Sequence, residues 1–167
     1  RQCLARLEWR QQRAAAPRHP FGLAKMQVRE DQHVLPRPVD WDETQHVTGY
    51  WFLDPPPGWA PDPDLLRFLE SGPPPVYIGF GSMSFMDPEG QTQLALRALE
   101  LSGQRGVVLT SSDNRARQAA PPSVLVVDNV PHSWLFPRMA AVVHHGGAGT
   151  TGASLRAGVP SIVAPYA

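Results

Sequence analysis

Ala140-Ala141-Val142-Val143-His144-His145-Gly146-Gly147-Ala148-Gly149-Thr150-Thr151 is the stretch on which the reading of this chain turns. Its valine-rich apolar run reads as a buried parallel strand. The run stops at two histidines, three glycines follow, and two threonines open a segment of helical composition that ends at Gly158. A strand, a glycine loop and a helix start present backbone N–H groups and a helix N-terminus to an anion. The stretch therefore predicts a binder of a phosphorylated small molecule.

Outward from this unit, strands and helices alternate. Strands are expected over 76–80, 107–110, 124–127, 140–144 and 162–164. A helix starts at Asp87-Pro88-Glu89, places Leu94, Ala95, Ala98, Leu99 and Leu101 on one face, and stops at Gly103. A single turn covers 132–136, and a helix covers 150–157 with Gly158 and Pro160 beyond it. Earlier, 46–53 has strand composition, 54–58 is a rigid proline loop, and Asp62-Pro63 caps a short helix to about Glu70. Residues 1–16 read as a helix tail ended by Pro17 and Pro20, and 21–42 as a linker. Residues 1–45 are thus the remnant of a preceding domain, and 46–167 a second domain. The pattern predicts an α/β fold with a doubly wound parallel sheet. Ligands in such sheets sit beyond the carboxyl ends of strands, which points to the loops at 79–84, 110–114, 129–134 and 145–151.

Bulk composition excludes several function classes. Formal net charge is zero and the pI is about 7.2, so nothing favours nucleic acid or an anionic membrane surface. A single cysteine, Cys3, excludes an intrachain disulfide and a cysteine-based zinc site. No apolar stretch has the length of a membrane span and no signal-peptide pattern opens the chain. The expected setting is cytoplasmic, with peripheral membrane contact left open. Both ends read as cut from a longer protein.

Gly147-x-Gly149-x-x-Gly152 satisfies the dinucleotide fingerprint letter for letter. That fingerprint belongs in the first strand–helix unit, with an acidic residue about 20 positions on. Here the unit is late, and no Asp or Glu follows Gly152. An NAD(P)- or FAD-dependent oxidoreductase fragment stays as an alternative, as does a nucleotide-binding module without catalysis. His145 can donate to a phosphate, Thr150 or Thr151 can add a hydroxyl, and the amides near Gly149 can meet an oxyanion. No metal is expected, because His144 and His145, as strand neighbours, point to opposite faces. In Gly79-Phe80-Gly81-Ser82, Gly81 admits close backbone approach and Ser82 offers a hydroxyl. Asp128-Asn129-Val130-Pro131-His132-Ser133-Trp134 offers main chain and rings to a flat base, while Leu135 and Phe136 read as core.

Taken together, Val130-Pro131-His132-x-x-Leu135-Phe136-Pro137, the histidine–glycine–threonine stretch and Leu155-Arg156-Ala157-Gly158-Val159-Pro160 resemble the donor-binding half of GT-B glycosyltransferases. The sterol 3-beta-glucosyltransferase and antibiotic-glycosyltransferase group is the best match, and the resemblance runs from about residue 35 to 167. It implies the C-terminal Rossmann-like half of a GT-B fold, truncated here. The nucleotide-sugar, UDP-glucose by this likeness, would be the donor substrate, with no cofactor and no metal. By position, His145 and Thr150, with amides around Gly147, Ala148, Gly149 and Thr151, would hold the diphosphate. Gly81 and Ser82 would lie near it, and the Val130 backbone would meet the uracil in the motif that includes His132. Plant relatives place a ribose-binding glutamate where Ala153 stands. The family's sugar-contacting Asp-Gln segment would come directly after residue 167. The base acting on a lipophilic hydroxyl acceptor would belong to the absent N-terminal domain, so no catalytic residue is expected in this chain.

Overall fold

The computed structural model describes residues 26–28, 31–34, 36–42, 44–81, 87–110 and 119–165. The chain divides into two compact units, Arg1–Gly49 and Tyr50–Ala167. In the first, β1 (Met26–Val28) pairs in parallel with β2 (Gln45–Val47). This corrects two expectations. The linker reading missed β1, because three residues carry too few alternations for a period to show. The strand expected over 46–53 stops at Val47, and Gly49, at φ +77°, turns the backbone out of the extended region. The helix expected over 1–16 lies outside the described residues.

The second unit holds five parallel strands, β3 (Val76–Gly79), β4 (Gly106–Leu109), β5 (Val124–Val127), β6 (Ala141–His144) and β7 (Ser161–Val163). Their order is β5-β4-β3-β6-β7, so the chain builds outward from β3 to one edge and then returns to its other side. The direction of winding reverses between β3 and β6. Side chains alternate across the sheet, as a period of two demands. Tyr77, Val107 and Val142 face one cluster with Leu65, Leu135 and Phe136, while Ile78, Val108 and Val126 face another with Ala95 and Leu99. Helices cover both faces, which is the doubly wound architecture predicted.

Helix α1 (Pro63–Glu70) begins where expected, with the Asp62 carboxylate accepting the Asp64 N–H at 2.7 Å. Helix α2 (Pro88–Ser102) is capped by Asp87, which accepts the Gly90 N–H at 2.9 Å, and ends at Gly103 with φ +63°. Its buried face differs from the one expected. Thr92, Ala95 and Leu99 turn inward at helical spacing, whereas Leu94 and Leu101 stand 64% and 72% exposed. Helix α3 (His132–Leu135) runs into a 3-10 turn (Phe136–Arg138). Helix α4 (Ala148–Ala157) starts two residues before the threonines, because Gly147 in an extended conformation takes the cap position.

Candidate functional site

A reversal of strand order opens a crevice at the carboxyl ends of the two strands that flank it. Here those strands are β3 and β6, where Gly79 and His144 are register partners, so the loops after them leave the sheet side by side. Four loops were expected to share the crevice; the strand order singles out two.

Between these two loops lies the imidazole of His145. A Cβ on Gly81 would sit 3.2 Å from its Cε1, and one on Gly147 would sit 2.5 Å from its Nε2. Gly81 also holds φ +59°, which disfavours any other residue. The glycines therefore leave the room that the ring occupies. Its Nδ1 is buried with no hydrogen-bond partner among the described residues. A buried polar atom left unmatched is uncommon.

Helix α4 starts beside this ring. No side chain among the described residues caps it, and the Thr151 N–H is already bonded to the Gly147 carbonyl at 2.9 Å. The amides of Ala148, Gly149 and Thr150 are thus the first-turn donors that an intrahelical bond does not reach. Among the described residues, nothing lies within 4 Å of where a Cβ on Gly149 would be. Thr150 and Thr151, expected to open the helix, stand half-buried inside its first turn. His145 thus lies against Gly81 and Gly147, and Ala148, Gly149, Thr150 and Thr151 follow it in the first turn of α4. Ser82 lies outside the described residues.

The last glycine of the fingerprint has a different use. A Cβ on Gly152 would fall 2.5 Å from the Tyr50 ring, so its role is to seat that tyrosine against α4.

His144 is fully buried and belongs to a polar chain that sequence reasoning missed. The Gly146 N–H donates to its Nδ1 at 3.1 Å, and its Nε2 lies 2.8 Å from Ser161 Oγ. Ser161 Oγ is 3.2 Å from Ser154 Oγ, which donates to the Thr151 carbonyl at 2.9 Å. The available signal was Ser154, a polar residue among small and apolar ones on the inner face of α4.

The loop after β5 is more occupied than expected. Val130 leans on the core cluster. The His132 ring stacks on Phe136 at 4.4 Å, and its Nε2 is 3.3 Å from the Tyr77 hydroxyl. Burial raises the pKa of the Tyr77 phenol, so its O–H donates to that nitrogen. Trp134 meets Trp59 edge-on at 5.3 Å and carries the Arg138 guanidinium 4.2 Å over its ring. Leu135 and Phe136 are core, as expected. In the remaining loop, Thr110 is buried and takes a bond from the Thr92 hydroxyl at 3.3 Å; residues 111–118 lie outside the described set.

Burial, helped by His144, lowers the pKa of His132; burial, helped by His145, lowers that of His144. The unfolded chain takes these protons near the ordinary 6.5, and the folded chain only at lower pH. Below that ordinary value the unfolded state binds more protons, so stability falls as pH falls, by at most about 1.4 kcal/mol per pH unit for each ring. Urea unfolding should give a steady midpoint from about pH 8 to about pH 7, then a declining one toward about pH 5. A midpoint unmoved across that range would show that the rings are not held neutral.

Residues 100–167 match the family described as erythromycin biosynthesis protein CIII-like, C-terminal domain. Over 135 residues the chain is 42% identical to sterol 3-beta-glucosyltransferase UGT80A2 of Arabidopsis thaliana, covering 80% of this chain and 21% of that protein. The chain thus spans about a fifth of that relative's length. Among solved structures, Phytolacca americana UGT2 complexed with UDP-2fluoro-glucose and pterostilbene aligns at 25% identity. Its TM-score is 0.51, over 62% of this chain and 25% of that one. The glycotransferase of kitacinnamycin aligns with a TM-score of 0.63 at 21% identity, over 86% of this chain and 37% of that one, which speaks to fold alone. Among the described residues no helix is long and apolar enough to cross a membrane.

Proposed function

We propose, on the premise that this chain belongs to the GT-B glycosyltransferases and carries their erythromycin biosynthesis protein CIII-like C-terminal domain, that it binds the diphosphate of a UDP-sugar. The observation that carries this reading is the His145 ring, set between two glycine loops at the reversal of strand order, with a buried nitrogen that has no partner among the described residues. The uncapped first turn of α4 adds amide donors and a favourable dipole beside it. UDP-glucose as the donor is supported by the plant relative, a sterol 3-beta-glucosyltransferase, and by the neighbour bound to UDP-2fluoro-glucose.

An inverting transfer needs a base on the acceptor hydroxyl and donors on the departing diphosphate. This chain would supply the donors. His145 and the amides of Ala148, Gly149 and Thr150 would meet the negative charge that grows on the leaving oxygens, with no metal required. The Val130 main chain would face the uracil, and a facing N-terminal domain would bring the base and a lipophilic, sterol-like acceptor. The oxidoreductase reading is not favoured: the comparisons lead to glycosyltransferases, and Gly152 seats Tyr50.

Calorimetric titration of the chain with UDP, UDP-glucose and NAD tests the proposal. UDP and UDP-glucose should bind and NAD should not. Binding of NAD without UDP would overturn it.

A further inference from the structure

Resting on that diphosphate reading, we propose that His144, Ser161 and Ser154 form a positioning relay that decides which backbone amides of the glycine loop face the ligand. The proton order follows from its far end. Ser154 has one hydroxyl proton and gives it to the Thr151 carbonyl at 2.9 Å. In the 3.2 Å contact between the two serines, Ser161 is therefore the donor. With that proton committed, Ser161 Oγ accepts from His144 Nε2 at 2.8 Å, so His144 carries its proton on Nε2. Its Nδ1 is then bare and takes the Gly146 N–H at 3.1 Å. Every donor in the series finds one acceptor, and the neutral ring is the only state that completes it.

The relay begins at Gly146, where the loop leaves β6, and ends at Thr151, one turn into α4. The residues enclosed between these two points are Gly147 to Thr150, and the diphosphate reading uses the amides of the last three. By drawing the Gly146 amide inward, His144 removes it from the crevice and sets the plane of the next peptide. Gly146 adopts φ +93° to make that turn, with Val163 of β7 3.0 Å from where its Cβ would be. Ser161 sits on β7 itself, so the outer strand, the loop and the helix are locked to one another through one imidazole. The titratable groups near His144 are His145 and His132. His144 touches no ligand in this arrangement; it acts through the amides it arranges, and holding donors in place before the ligand arrives is what such a shell contributes.

The test compares UDP with UMP, both titrated calorimetrically into the chain and its Ser161→Ala, Ser154→Ala, His144→Asn and His144→Ala forms. Loss of the relay should cut the preference for UDP over UMP roughly tenfold while UMP affinity stays within about threefold. Asparagine can offer an acceptor near the Nδ1 position but cannot reach Ser161, so His144→Asn should keep more of the preference than His144→Ala. Thermal midpoints identify which variants are folded, and imidazole nitrogen NMR should find His144 neutral with its proton on Nε2. A proton on Nδ1 would overturn the relay, as would an undiminished UDP preference in both folded serine variants. Should the unaltered chain bind UMP as tightly as UDP, the diphosphate reading falls and takes the relay's purpose with it. A preference present in the unaltered chain and surviving in the variants removes the relay alone.

Discussion

Replacement of His145 by alanine is expected to weaken UDP binding about 30-fold, or about 2 kcal/mol, with the fold intact. The size follows from the kind of bond. A hydrogen bond to a charged group contributes about 1.5–3 kcal/mol, and the Nδ1 of this half-buried ring is itself buried. The fold should survive because the ring's described neighbours at the site, Gly81 and Gly147, carry no side chain that would lose packing. In an enzyme that uses this chain as its donor half, the loss in turnover should be larger. Charge on the leaving diphosphate grows toward the transition state, and removing one positioned donor from such a site costs on the order of 3 kcal/mol, or about 100-fold in rate. Titration of UDP and a sugar-transfer assay read the two effects separately. Unchanged affinity together with unchanged turnover would remove His145 from the phosphate site.

The local grammar of this chain is legible because its boundaries are marked by residues with one strong use each. Asp62 and Asp87 accept helix N–H groups where the Asp-Pro pairs announce it, and Gly103 and Gly158 hold positive φ where the helices stop. The position of His145 beside the glycines follows from the same logic, since strand, glycine loop and helix start succeed one another directly there. Strand order is another matter. Alternation implies a parallel sheet but is silent on which strands adjoin, so the reversal between β3 and β6 had to be seen. Helix α2 misled for a related reason. Its leucines at 94 and 101 are apolar, yet the buried stripe runs through Thr92, Ala95 and Leu99, where two smaller side chains let the helix approach the sheet and Leu99 fills the room left beside Gly106. The His144 chain was illegible because its partners on β7 and α4 are brought together only by the final strand pairing, and serine is a common residue that carries no warning.

The largest stability effect should come from Phe136. It is fully buried, with its ring 4.9 Å from Tyr77 in an edge-on contact and 4.4 Å from His132 in a stack. Phenylalanine-to-alanine changes at such sites cost about 3–5 kcal/mol, from lost transfer energy and the cavity left behind. Native domains hold only about 5–15 kcal/mol in total, so the variant should unfold at much lower urea than the unaltered chain. Phe136→Leu, which keeps part of the volume, should cost less than half as much. The consequence reaches the site through geometry. Phe136 backs the His132 ring, His132 accepts from Tyr77, and Tyr77 lies along β3 with its hydroxyl 2.2 Å from where a Cβ on Gly79 would sit. Removing the phenyl ring should thus loosen the loop expected to hold the base more than the first turn of α4, because the α4 residues packed on the same cluster, Ala153 and Ala157, lie farther along that helix. In the folded fraction, UMP and UDP should weaken together with their ratio preserved, the opposite of the pattern expected for the relay variants. A Phe136→Ala protein as stable as its parent would mean that α3 does not pack on the sheet as described. The Tyr77–His132 contact would then have no support.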